Sequence, residues 1–117
     1  MSTSSAFDDL AAKLMTPAKS GAYLTRNELL VLARLTEGSF RFNERKRMLV
    51  DLFKSAQDAD GLLALLGHLT AFWQDQLGRY EELAQAYPAS APFIAEWQTK
   101  ARATLKTLER VRDEVRL

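Results

Sequence analysis

"YPASAP", residues 87–92, holds two of the chain's three prolines and interrupts two long amphipathic stretches. Upstream, 60–87 reads as one helix, with Asp58 or Asp60 as an N-cap whose side-chain oxygen accepts an orphan amide of the first turn. Downstream, Ser90 reads as the cap of a second helix, with Pro92 in its first turn, where a missing N–H does no harm. That helix runs almost to residue 117. Its seam is Ile94, Trp97, Ala101, Thr104, Leu108, Val111 and Val115, a heptad rhythm of alternating steps of three and four. A short link between two such helices predicts an antiparallel αα-hairpin. Counting back from the link pairs Ile94 with Leu83, Trp97 with Tyr80, Leu105 with Trp73 and Val115 with Leu62. Each helix spans roughly 40 Å at about 1.5 Å per residue. A compact chain of this size has a radius of gyration near roughly 13 Å, so an elongated bundle is expected. Shorter helices must cover the hairpin, and any length they leave bare invites a partner.

The first half supplies those covers. A helix is expected over 5–15, with Phe7, Leu10, Ala11 and Leu14 on one stripe. Thr16-Pro17 ends it, because the residue before proline avoids helical geometry. "AKSGAY", residues 18–23, reads as a loop. Thr25 and Glu28 have the spacing of a capping box, which opens the next helix, and Gly38 suits the C′ position that closes it. A third helix starts at Ser39 or Asn43 and runs to Ala56, with Met48, Leu49, Leu52, Phe53 and Ala56 as its apolar face. Phe40 and Phe42 are placed to staple its entry. No stretch alternates with period two, so no sheet is expected. The fold predicted is all-α: an elongated bundle of about five helices in a single domain over 1–117. Three shorter helices fill 5–57, and the long hairpin fills 60–117.

Composition limits the chemistry. Hydrophobic residues make up 47% and charged residues 26%, with a net charge of +1, ordinary for a globular chain and too balanced to argue for nucleic acid. There is no cysteine, so disulfides, thiolate catalysis and cysteine metal sites are excluded. "MSTSSAFDDL" lacks the basic and apolar regions of a secretory signal, and no apolar run approaches the roughly 18 residues of a membrane span. The expectation is a cytoplasmic protein of bacterial type with no membrane partner.

The stretch "LTRNELLVLARLTEG", residues 24–38, resembles the opening of the helix-turn-helix of LuxR-type regulators at Leu24, Thr25, Glu28, Val31, Leu32 and Gly38. The resemblance extends over 24–44 and implies DNA binding through a following recognition helix. After Gly38 the pattern departs: Arg45-Lys46 stand where an Ile-Ala pair belongs, and the next helix is rich in leucine and lacks a polar reading face. The capping box and the terminal glycine explain the matching residues as helix punctuation. No sequence-specific DNA binding is expected.

Four basic residues, Arg41, Arg45, Lys46 and Arg47, form the candidate interaction surface. With nearby aromatics they could grip phosphates, but Glu44 and Asp51 interrupt the positive field. A solvated face that docks an acidic partner is the plainer reading. Charge is also divided along the hairpin. Asp75, Glu81, Glu82 and Glu96 against Arg79 give −3, whereas 100–116 carries six bases and three acids, giving +3. The acidic end is suited to attract a basic segment. His68 is the only histidine, and Leu65 stands where a di-iron helix would carry glutamate, so no metal and no cofactor is expected. No nucleophile–base pair or phosphate-cradling glycine loop occurs. The function expected is non-enzymatic: a protein–protein interaction, adaptor or chaperone-like bundle that binds a protein partner or a second copy of itself as a homodimer. The alternatives are a nucleic-acid-associated protein using 41–47, and a small-ligand bundle using the region of Trp73, Tyr80 and Trp97.

Overall fold

A computed structural model describes residues 3–41 and 43–116. Among them the chain is all-α, with six helices and no strand: α1 (Thr3–Leu14), α2 (Pro17–Ser20), α3 (Arg26–Thr36), α4 (Arg45–Ser55), α5 (Ala59–Ala86) and α6 (Ala91–Arg116). Helices α5 and α6 pack along each other as the hairpin. On its inner face lie α2, against α6, and α3, against α5; α1 packs on α2 and α4 and reaches α6 through Lys13, whose Nζ donates to Thr107 Oγ1 at 3.0 Å, and α4 packs on α1 and α3. The extents are 46 × 31 × 22 Å, as two long helices with a partial second layer require.

Local signals place most of the ends. Asp58 accepts from the Gly61 amide at 2.8 Å and starts α5. Thr25 Oγ1 accepts from the Glu28 amide at 3.1 Å, and Glu28 Oε1 accepts from the Thr25 amide at 3.0 Å, so the capping box is complete. Replacing Thr25 by alanine is expected to lower stability by about 1 kcal/mol, read as a lower urea midpoint with unchanged slope.

Four boundaries differ from the sequence reading. The segment after Thr16 is no plain loop, because Pro17 occupies the first position of the short helix α2, where its fixed φ helps. At the end of α3 the left-handed residue is Glu37 (φ 53°), not Gly38. Gly38 donates to the Ala33 carbonyl at 2.8 Å as the second residue of a Schellman turn. A side chain there would meet Leu52 and Ser55 of α4 at 3.0 Å, so Gly38 serves close packing and not a positive φ. Helix α4 begins at Arg45, later than either start expected, and its N-cap Glu44 makes no side-chain cap bond. Ser90 is not an extended cap either: it lies in a 3₁₀ turn, Pro88–Ser90, directly preceding α6.

The core is continuous from α1 to α6 and includes Leu14, Leu29, Leu49, Leu66, Trp73 and Leu108. Phe7 stacks on Phe53 with ring centroids 5.0 Å apart, which ties α1 to α4. Phe40 packs on this core, as expected of a staple, while Phe42 lies outside the described residues.

The hairpin holds its second layer by a polar clamp. Ser20 and Gly21, the last residue of α2 and its C-cap, are buried against α5 and α6. The Ser20 carbonyl accepts from Trp73 Nε1 and from Thr104 Oγ1, both at 2.9 Å. The Gly21 carbonyl accepts from the Tyr80 hydroxyl. Burial raises the Tyr80 pKa above that of a free phenol, so the donor keeps its proton further into the alkaline range. Gly21 sits in the left-handed region (φ 82°), and a Cβ there would lie 2.5 Å from the Ala101 nitrogen and 2.7 Å from the Trp97 carbonyl oxygen. The clamp also fixes the register: Trp73 lies level with Thr104, and Tyr80 with the Trp97–Ala101 turn. At the far end Leu62 shares a cleft with Val111 and Val115. All three levels agree with the pairing counted from the link.

Candidate functional site

The basic candidates do not form one surface. Arg41 is exposed, and its backbone N–H donates to Asp51 Oδ2 at 3.2 Å. Lys46 and Arg47 are exposed, beside Asp8, Glu44 and Lys54 in a concavity of mixed sign. Arg45 turns inward, contrary to the solvent-facing role expected of it. Its guanidinium donates to the Leu24 carbonyl at 2.7 Å and the Met15 carbonyl at 3.2 Å, and lies 3.9 Å from the centre of the Tyr23 ring. It pins the segment after α1 to the entry of α3, using the planar fork that arginine has and lysine lacks. Arg45→Ala is therefore expected to destabilise by about 2 kcal/mol, the loss of two charge-assisted bonds. Arg47→Ala should stay within about 0.5 kcal/mol of wild type, and paired urea melts compare the two.

The α3–α4 pair lacks the geometry that the resemblance to LuxR-type regulators implies. Residues 37–44 separate the two helices, a longer link than the roughly 3–4 residues of a helix-turn-helix. Helix α4 buries Met48, Leu49, Leu52 and Phe53, as the sequence predicts, and Val50 with them, and its exposed face carries Lys46, Arg47 and Lys54.

The members of the aromatic trio sit in different surroundings. Trp73 is fully buried with its indole N–H bonded to Ser20, and Tyr80 is bonded to Gly21. Trp97 departs from the seam reading: it is 36% exposed, with Lys100 Nζ 5.0 Å from the centre of its ring. His68 lines a shallow groove of about 330 Å³ between α3 and α5 with Leu24, Val31, Leu35 and Phe72. Among the described residues no group of three or more His, Asp or Glu could hold a metal ion. No helix there is long and apolar enough to cross a membrane.

The free end of the hairpin is different. The second layer reaches Gly21, level with Tyr80 and Trp97, and the two long helices run on beyond it. On α5 the inward stripe Leu69, Trp73, Gln76, Tyr80 continues in the same steps to Leu83 and, just past the helix, Tyr87. On α6 the stripe Leu108, Thr104, Ala101 continues back to Trp97 and Ile94, with Phe93 on its flank. Leu69, Trp73, Ala101, Thr104 and Leu108 are buried. Past the clamp, Leu83 is 44% exposed, Tyr87 62% and Phe93 71%. The core-facing stripes thus outrun their cover. Residues 80–99 contain Glu81, Glu82 and Glu96, all exposed, and no lysine or arginine. Asp75, the remaining acid of the region, pairs with Arg79 at 3.0 Å.

Leu83, Tyr87 and Phe93 were not among the sequence candidates. The sequence pairs Leu83 with Ile94 in the seam, and Phe93 lies one residue off it. An aromatic on the flank of an inward stripe was the signal available. No protein-family model, curated protein or solved structure matches the chain significantly.

Proposed function

We propose that this chain is a non-enzymatic interaction module, an adaptor or chaperone-like bundle, that docks a protein partner on the free end of its α5–α6 hairpin. The observation that carries this reading is the run of the hairpin beyond Gly21, where Leu83 and Tyr87 on the inward stripe and Phe93 on its flank are exposed next to the partly exposed Trp97. Clustered apolar exposure of this kind marks interaction surfaces, and large aromatics concentrate the binding energy of protein interfaces. The clamp supports it too, because a rigidly held hairpin presents those side chains with little ordering cost. The cytoplasm is the compartment we propose, in keeping with a chain that has no cysteine.

The test is affinity purification of the tagged chain from its native cell in three forms: wild type, Phe93→Ser with Trp97→Ala, and Arg102→Ala with Lys106→Ala. Arg102 and Lys106 are exposed on α6 below the free end. A stoichiometric protein partner is expected with the first and third forms, and at least about tenfold less of it with the second. Circular dichroism checks that all three are folded. A partner retained equally by all three forms, or none with wild type, overturns the reading.

A further inference from the structure

We infer that the occupant of the hairpin's free end is a single cationic amphipathic helix of another protein, laid across α5 and α6 in line with the second layer. This rests on the docking reading above and adds the partner's chemistry. The uncovered length is short. Beyond the clamp α5 contributes 81–86 and α6 contributes 91–96. Each run is about 9 Å long at about 1.5 Å per residue, close to the roughly 10–12 Å diameter of one helix with its side chains. One helix laid crosswise fills that slot. Its apolar face would meet the exposed Leu83, Tyr87 and Phe93 and the open edge of Trp97.

Charge selects the rest. Glu81, Glu82 and Glu96 give the end a charge of −3, with no base from 80 to 99 to offset it. Lys100, over the Trp97 ring, marks the lower limit of the acidic zone. A helix with lysine or arginine flanking its apolar face complements that rim and gains in association rate as well as affinity. The same charge opposes a second copy docked end to end, since −3 would face −3.

The probe is a synthetic peptide of about 16 residues, long enough for roughly four turns, with leucines at helical spacing and lysines elsewhere. Matched peptides replace every lysine by glutamine or by glutamate. Binding to the intact chain is followed by calorimetry. The lysine peptide is expected to bind at least about tenfold more tightly than the glutamine peptide, and the glutamate peptide not at all. Phe93→Ser with Leu83→Ser should weaken the lysine peptide at least about tenfold. Glu81→Gln with Glu82→Gln and Glu96→Gln should do the same at about 0.05 M salt and much less at about 0.5 M.

Equal binding of lysine and glutamine peptides, lost in Phe93→Ser with Leu83→Ser, overturns the cationic occupant and leaves the docking reading standing. Binding indifferent to the end variants, or absent, overturns this inference, and the docking reading is then decided by the partner purification alone. Sedimentation velocity supplies the last arm. A homodimer that Phe93→Ser dissociates would make the second copy the occupant and overturn the inference.

Discussion

Replacing Gly21 by alanine is expected to remove at least about 4 kcal/mol of stability, much of what a domain this size has. Two effects add. The residue holds φ at 82°, where a Cβ is strained in any surroundings. The larger effect is steric: the new atom would lie 2.5 Å from the Ala101 nitrogen and 2.7 Å from the Trp97 carbonyl oxygen. Both neighbours are helix backbone and have no rotamer by which to move away. Sliding the loop outward instead would part Ser20 and Gly21 from Trp73 and Tyr80 and leave the buried indole N–H without its acceptor, while Thr104 could fall back on the Lys100 carbonyl at 3.1 Å. Gly78 provides the control. It lies in α5 with open space around an added Cβ, so Gly78→Ala should stabilise by up to about 1 kcal/mol through helix propensity alone. Urea melts of the two variants should move in opposite directions from wild type. A Gly21→Ala midpoint close to wild type would mean that the loop is not seated on α6.

The hairpin was legible because its signals are local. Proline at 88 and 92, an aspartate before 59 and a three-four rhythm each act within a turn or two of the backbone. The clamp was not, because "AKSGAY" has the composition of a solvent loop while its carbonyls serve residues more than fifty positions away. A hint did exist on the other side of the contact. Trp73, Tyr80 and Thr104 put three hydrogen-bond donors on apolar stripes, and buried donors require acceptors from somewhere. Arg45 was half legible: it precedes Met48 and Leu49 by three and four residues, which places it on the buried face of α4. Trp97 misled because α6 has two inward faces, one toward α5 and one toward the second layer. A heptad count cannot say where that second layer stops. For the same reason the free end was anticipated only as an acidic stretch, not as exposed Leu83, Tyr87 and Phe93.

Trp73→Ala is expected to cost about 4 kcal/mol, within the range for deleting a fully buried aromatic. The ring is wholly inaccessible, lies edge-on to Phe72 with centroids 5.1 Å apart, and sits where α5, α6 and the clamp meet. Removing it opens a cavity between layers that cannot close without moving Gly21 off the α6 backbone. Trp73→Phe separates the ring from its N–H. It retains most of the apolar volume and should cost about 2 kcal/mol, from the smaller ring and the lost bond to Ser20. Thr104 still donates to that carbonyl, which limits the second part of the loss. Trp97→Ala, on the same hairpin and identical in chemistry, should cost only about 1 kcal/mol, because its ring already stands partly in water beside Lys100. Fluorescence of the single-tryptophan variants gives an independent reading. Trp73 should emit to the blue and resist iodide, and Trp97 should emit to the red and quench readily. Similar stability losses for Trp73→Ala and Trp97→Ala would mean that the second layer extends beyond Gly21, and the docking surface at the free end would disappear with that result.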